Sequence, residues 1–291
     1  MKKILYTMIV CAAVSACCAD KSGKNDLRVM SFNIRMSYTD TLDGENCWNN
    51  RRDAAMRLIN ETAPDLIGCQ EVLPHQGVFM KEKLGADYES YGLGRESGFE
   101  DGEGEAMRIF VKKGRFKILD KGTFWLSETP DEVSVGWDAC CHRTVTWAKI
   151  RDRKARRELY FFNTHFDHCG NWAREEEGKL IVRKIKEITG IEDITNGDVP
   201  VFLTGDFNSN VNSPALDPVM GIMNNARLAA PISDESTTSN SFGKDGPNHV
   251  NIIDHIFFAG VDPVLYRVEN GDWGVKYISD HYPIIGEFQY K

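Results

Sequence analysis

Five times along the chain a short apolar, strand-like run ends in acidic, amide or imidazole side chains. These are Ser31-Phe32-Asn33, Gly68-Cys69-Gln70-Glu71, Asn163-Thr164-His165-Phe166-Asp167-His168, Thr204-Gly205-Asp206-Phe207-Asn208 and Ile253-Asp254-His255. A further cluster, Ser279-Asp280-His281-Tyr282-Pro283, stands just before the last such run. Strands that all finish this way gather their polar ends at one rim of a sheet core, where rigid backbone holds reactive groups as closely as catalysis requires.

The remaining pattern fits such a core. Strands are predicted at 27–34, 65–70, 88–93, 107–111, 116–126, 143–150, 159–163, 199–203, 251–258, 264–268 and 284–290, many separated by short Gly, Asp or Lys turns. Helices are predicted at 50–61, at 74–84 with Pro74 in the first turn, and at 172–189, where Leu180, Ile181, Ile185 and Ile188 share a face. Helices fall early and midway while strands dominate between them, so a plain βαβ repeat fails. A mixed α/β arrangement of two face-to-face sheets with helices outside buries every apolar strand. The run 233–248 reads as a polar surface loop, and the basic cluster Arg151 to Arg157 as a solvated hairpin tip.

At 291 residues, 42% of them apolar, the chain has material for one large core and no evident linker. Its longest apolar stretch, Ile4 to Val14 after Lys2 and Lys3, is short for a membrane span and reads as a secretory signal. Val14-Ser15-Ala16-Cys17 is similar to the bacterial lipobox, in which the Cys is lipidated and becomes the new N-terminus; a plain signal peptide cut nearby is the alternative. The expected organisation is a signal at 1–16, a lipidated tether at 17–26 that anchors an exported envelope lipoprotein to the membrane through Cys17, and a single, monomeric domain at 27–291. Loss of the signal makes an acidic chain, net −8, more acidic still, which counts against a long polyanion as substrate.

The cysteines beyond the signal are Cys17, Cys18, Cys47, Cys69, Cys140, Cys141 and Cys169. Cys69 sits in an apolar run, Cys140 and Cys141 are adjacent, and there is no CxxC pair, so the expectation is small buried residues, no zinc site, and at most one disulfide, joining Cys140 or Cys141 to Cys47 or Cys169.

Glu71, Asp206, Asp254 and Asp280 are hard oxygen donors or proton acceptors, and most of the strand-end clusters lack thiols, which suits Mg²⁺ or Mn²⁺ better than zinc. With His165 and His281 as switchable groups and Asn33 and Asn208 as amides, this is a toolkit for hydrolysing phosphate esters, where charge must be gathered around phosphorus. Taken one at a time, an Asp-His pair is more often decoration and a Gly-Asp a simple Asx turn; the weight lies in their joint occurrence.

In their order from Ser31 to Pro283, these six segments resemble the motifs of the endonuclease/exonuclease/phosphatase superfamily, the deoxyribonuclease I-like hydrolases. The resemblance implies a four-layer αββα sandwich of two mixed β-sheets flanked by helices. It implies Glu71 as the main Mg²⁺ ligand, with Asn33 and Asp280 close to the metal. Asp206 would activate or position the attacking water and Asn208 would hold that water and a phosphate oxygen. His281, oriented by Asp254, would contact the scissile phosphate, and His165 would bind a phosphate oxygen. Whether Asp206 or His281 takes the water's proton stays open.

Arg143, at the head of a strand, can grip phosphate bidentately or serve as a strand-end salt bridge. His168, Glu105 and Arg174 are weaker candidates. Trp48, with Arg51 and Arg52, reads as packing; Trp137 and Trp273 either clamp the core or stack on a sugar ring. The acidic charge and the tether favour a small phosphorylated substrate such as a sugar phosphate or lipid head group. A nuclease cleaving DNA or RNA is the main alternative, and a non-catalytic glycan- or lipid-binding lipoprotein a remote one.

Overall fold

The computed structural model describes residues 26–246 and 248–291; the expected signal, the Cys17 tether and Cys18 lie outside them. In chain order the strands and helices are β1 (Asp26–Asn33), α1 (Asp40–Asp43), α2 (Trp48–Thr62), β2 (Leu66–Val72), α3 (Pro74–Leu84), β3 (Tyr88–Tyr91), β4 (Ala106–Lys112), β5 (Phe116–Trp125), β6 (Thr144–Asp152), β7 (Arg157–His165), α4 (Asn171–Thr189), β8 (Val201–Asp206), α5 (Asp217–Met220), β9 (Asn224–Asn225), α6 (Ala226–Ala229), β10 (Ile232–Ser233), β11 (Asp254–Ala259), β12 (Val261–Val268) and β13 (Ile284–Tyr290).

The strands form two mixed sheets, ordered β10-β12-β13-β1-β2-β4-β3 and β5-β6-β7-β8-β11-β9. Each has a parallel pair at its centre, β1 with β2 and β7 with β8, flanked by antiparallel neighbours, and the short edge strand β10 runs parallel to β12. Three apolar clusters define four layers. Leu27, Val29 and Ile109 of the first sheet meet Phe161, Phe202 and Ile256 of the second between the sheets. Met30, Ile67 and Phe110 pack against Leu58 and Ile59 of α2 and Met80 of α3 on one outside. Phe162, Leu203 and Phe257 pack against Leu180, Ile181 and Ile185 of α4 on the other. This is the αββα sandwich, and it follows from strands that carry apolar residues on both faces and need a cover on each side.

The sheets come closest under the rim. A Cβ on Gly68 would sit 2.2 Å from Thr204 Oγ1 and 2.4 Å from Asn163 Oδ1, so only glycine fits there. The space holds a buried polar layer: Gln70 Nε2 donates to Asn163 Oδ1 (2.7 Å), which also accepts from Thr204 Oγ1 (3.0 Å), while Asn163 Nδ2 donates to the Cys69 carbonyl (2.9 Å). Paired polar groups of this kind fix one register between sheets that apolar contacts alone would let slide.

Element identities match the expectation, with local corrections. The strand at 88 stops at Tyr91, because the chain turns into a loop closed by Arg95 and Glu105. The short β9 and β10 and single-turn helices α1, α5 and α6 carry too few residues for a periodic signal. The cysteine expectation fails more broadly. Only Cys69 of the five described cysteines is buried, Cys140 and Cys169 are exposed, and all five are free thiols. Trp48 is packing, as expected: it is buried in an edge contact with Phe79 and under the Arg51 guanidinium. Trp137 and Trp273 are partly buried and pack against the outer cores, in line with the clamp alternative. The Arg151–Arg157 cluster does form a hairpin tip, with Arg151 paired to Glu158 across it.

Candidate active site

Strand register assembles the rim. His165, at the end of β7, is directly beside Asp206, at the end of parallel β8, and Asp206 is directly opposite Asp254, the first residue of antiparallel β11. Three chemically active residues far apart in sequence therefore stand in one row. On the other sheet, Asn33 ends β1 beside Gln70, and the ladder between β2 and β4 shifts register between Cys69 and Val72. That bulge sits at Glu71, whose backbone takes a left-handed φ of 62°. Asn208 is left-handed too, at φ 45°. An L-residue held there without glycine is strained, and a bulge re-aims a side chain that a regular strand would point elsewhere.

Hydrogen bonds then lock the groups together. Asn33 Nδ2 donates to Glu71 Oε1 (2.9 Å) and to Asp206 Oδ2 (3.0 Å), joining the two sheets. The Met36 amide donates to Glu71 Oε2 (2.9 Å). His281 Nδ1 lies 2.8 Å from Asp254 Oδ2, and its Nε2 lies 3.7 Å from Asp206 Oδ2. Asn208 reaches back through Nδ2 to His165 Nε2 (3.1 Å) and the Phe166 carbonyl (2.9 Å), while its own amide donates to Asp206 Oδ1 (2.9 Å). Ser279 Oγ donates to the Asn33 carbonyl (2.7 Å) and so ties the segment carrying Asp280 and His281 to β1.

Burial and neighbouring charge set the protonation states. Burial alone would raise Glu71, but the Met36 amide, Asn33 and Arg35 outweigh it and hold the carboxyl below its ordinary value. Burial, with the nearby Asp254 charge, pushes Asp206 up to about 7 against the pull of His281. Asp280 is raised by burial and by Glu71. Burial would lower His281, yet the charges of Asp254 and Asp206 hold it well above the usual histidine value. His165 goes the other way, lowered by burial and by the guanidiniums of Arg143 and Arg95; its Nδ1 is buried without a hydrogen-bond partner.

These groups face a cleft of about 370 Å³, a small-molecule size. Most candidate residues line it; Asn33 stands behind Glu71 and Asp206, bonded to both, Asp254 reaches it through His281, and Arg174 lines a neighbouring recess and donates to the Asp167 carbonyl (2.8 Å) instead. Arg143 is buried at the cleft wall, with Nε 3.4 Å from Asp167 Oδ2 and Nη2 donating to His168 Nδ1 (2.8 Å). Glu105 borders it as well, paired with Arg95 (2.8 Å) and pushed up to about 7 by burial.

Two cationic groups in the cleft escaped the sequence reading. Arg35, two residues past Asn33, bridges Asp280 (3.3 Å) and Asp43 (3.3 Å); its proximity to the first motif was the available signal. Arg95 comes from the loop after β3 and had none. Below them Arg51, fully buried, donates to the carbonyls of Ile34, Arg35 (2.8 Å) and Ile278 (3.2 Å), pinning both segments that carry Asn33, Arg35, Asp280 and His281.

Convergent buried carboxylates suit a divalent cation. Glu71 and Asp206 lie with His165 within 4.8 Å of one another, and the mutual repulsion that raises Asp280 is what a cation would relieve. A sandwich with this rim at its strand ends, carboxylates suited to a metal and two histidines, one held cationic and one neutral, is that of a phosphoester hydrolase. The chain belongs to the Endonuclease/Exonuclease/phosphatase family, whose model matches residues 30–281. Among solved structures it is similar to an endonuclease/exonuclease/phosphatase from Bacteroides vulgatus, with 33% identity over 92% of this chain and 100% of that one and a TM-score of 0.84. It is also similar to the mannosyl-6-phosphatase of Bacteroides thetaiotaomicron, 31% identical over 90% of this chain and 99% of that one, at a TM-score of 0.79. Nocturnin of Drosophila melanogaster is 25% identical over 230 residues, 72% of this chain but 33% of nocturnin, so the match spans a third of that protein.

Proposed function

We propose that this hydrolase is a Mg²⁺-dependent phosphatase for a small phosphorylated molecule, a sugar phosphate before a lipid head group. The observation that carries the reading is the cleft itself: about 370 Å³, closed by the rim on one side and flanked by Arg35, Arg95 and Arg143. Three guanidiniums around one small volume suit a terminal phosphate dianion. The likeness to a mannosyl-6-phosphatase across nearly the full length of both chains supports a sugar as the leaving group.

Glu71, with Asn33 and Asp280 beside it, would hold Mg²⁺, or Mn²⁺ in its place, which when bound neutralises charge on the phosphoryl oxygens. The protein groups divide the remaining work. Asp206, with its pKa at about 7, is matched to taking a proton from water at neutral pH. Asn208, bonded to both Asp206 and His165, orients that water and a phosphate oxygen. His281, kept as an imidazolium by Asp254, places positive charge where the phosphoryl group gains negative charge. His165, kept neutral, offers hydrogen bonding without charge. Arg143, oriented by Asp167, binds phosphate. In the cell, the protein would act as an exported, monomeric lipoprotein, held at the bacterial envelope through lipid on Cys17.

The test is a substrate panel with Mg²⁺: hexose phosphates, phosphorylated head groups, a bis-aryl phosphodiester, plasmid DNA and single-stranded RNA. Phosphate release from hexose phosphates is expected to lead by at least about tenfold in kcat/KM, a difference of about 1.4 kcal/mol. Plasmid nicking or RNA cleavage at higher kcat/KM would give the chain to the nuclease reading instead.

A further inference from the structure

One wall of the same cleft carries a second cluster of a different chemical kind. Cys140 and Cys141, in the loop between β5 and β6, meet Asp167 and His168, which follow β7. One ligand atom from each of the four lies within 4.8 Å of all the others. Cys140 Sγ is 3.4 Å from Asp167 Oδ2 and 3.7 Å from the His168 ring nitrogens, and Cys141 Sγ is 3.6 Å from the same Asp167 oxygen. A tetrahedral zinc with ordinary Zn–S, Zn–N and Zn–O bonds sets its ligand atoms about 3.5 Å apart. Those three contacts are already near that spacing and the rest lie within 4.8 Å, with both thiols donating to one carboxylate oxygen, where a single dication can replace their protons.

We propose that Cys140, Cys141, Asp167 and His168 form a metal site for a thiophilic dication such as Zn²⁺, separate from the carboxylate rim. Two sulfurs and an imidazole select a soft or borderline ion, whereas Glu71, Asp206 and Asp280 select a hard one, so the two sites discriminate by ligand type. Charge closes as well: two thiolates and one carboxylate balance the dication together with the adjacent Arg143 guanidinium. A neutral imidazole has one free lone pair, so loading competes with the Arg143 bond to His168 Nδ1, while Arg143 keeps Asp167 as a partner. The ion would clip the 126–143 loop onto the turn after β7, and through that turn fix the wall of the cleft. The absence of a CxxC spacing hides such a site from the sequence, because its two halves sit on different strand connections.

Co²⁺ titration of the chelator-stripped protein, reduced with a phosphine, tests it. One equivalent is expected to produce a near-ultraviolet sulfur-to-cobalt charge-transfer band, which ions bound only at the oxygen-rich rim do not give, and Zn²⁺ should displace it and raise the melting temperature. Cys140→Ser should weaken binding by at least about tenfold, consistent with loss of one coordinating group. Cys140→Ser/Cys141→Ser should lose the band while still melting cooperatively, which shows that the variant is folded. No charge-transfer band in the wild type, or one that persists in the double variant, overturns the proposal. So does protein purified without reductant in which Cys140 is held in a disulfide with Cys141 or Cys169.

Discussion

Two histidines reach the same cleft from neighbouring regions of the rim, both buried, and the protein drives one to the cationic and the other to the neutral form. Around His281 the neighbours are carboxylates: Asp254 on Nδ1 and Asp206 facing Nε2. His165 also has Asp206 near it, with Oδ2 3.5 Å from Nε2, but the charges that weigh on it most are the guanidiniums of Arg143 and Arg95, and its Nε2 is engaged by the Asn208 amide. Burial pushes both down in the same way and Asp206 stands near both, so the balance of the remaining charges separates them: carboxylates prevail at His281 and guanidiniums at His165. The lesson is that sequence motif and depth do not assign a catalytic histidine's role; its first ring of charges does. One ring supplies a permanent positive charge and the other a neutral hydrogen-bonding partner, without a change of residue type.

The largest test of that contrast removes the charge the cleft is built around. Glu71→Ala, or chelation of divalent ions with EDTA, should reduce turnover to background, and a variant that keeps wild-type kcat would show that Glu71 holds nothing needed. His281→Ala should lower kcat by about two orders of magnitude or more, on the scale of a lost electrostatic group in a dry site. His165→Gln, which removes no charge at neutral pH, should cost clearly less; equal losses in the two variants would erase the distinction.

Asp254→Asn probes the contrast through pH. His281 is raised, so it stays protonated from acid through neutral pH and loses its proton only as pH rises through its folded value. Without the Asp254 charge that limit falls, and the basic limb of the kcat/KM profile should move to lower pH; an unmoved limb would exclude the imidazolium as the group responsible. Arg143→Gln makes the reciprocal change. NMR titration should find the pKa of His165 higher in that variant, and KM for the phosphate ester should rise by about tenfold, equivalent to about 1.4 kcal/mol. The last effect is on stability and leaves the two cleft histidines untouched. His255, buried against the Ser209 carbonyl, is lowered by burial to about 4, so the folded state favours its neutral form. That stability is present above the unfolded pKa and is lost as pH falls from about 6.5 towards 4. His255→Gln should therefore lose less stability than wild type between pH 7 and 4 in urea titrations, by up to about 3 kcal/mol from a shift of this size.

Much of this was legible in the chain. The helices at 74–84 and 172–189 and the strand at 284–290 stand where their periodicity placed them, because long apolar repeats leave few other ways to be buried. Four of the six polar clusters, at Asn33, Glu71, His165 and Asp206, were legible for the same reason, since a polar group closing an apolar run emerges at a sheet edge; Asp254 and the Asp280-His281 pair stand instead where strands begin. What failed was information that depends on partners from elsewhere. Cys140 and Cys169 were expected inside because cysteine is apolar, yet they lie on turns that no core covers. Arg95 carried no motif, since its place in the cleft comes from a loop closed by Glu105.

The sequence by itself determined that strands would carry acidic, amide and imidazole groups at their ends and that two sheets would sandwich between helices, because local patterning dictates which residues can be buried. Only the tertiary structure decided which ends meet. The register of β7, β8 and β11 aligns His165, Asp206 and Asp254, the β2 bulge turns Glu71 into the cleft, and two unlinked loops set thiols beside His168. Distances across the rim, and the charges that fix each protonation state, depend on contacts between segments far apart in the chain, and no local pattern encodes them.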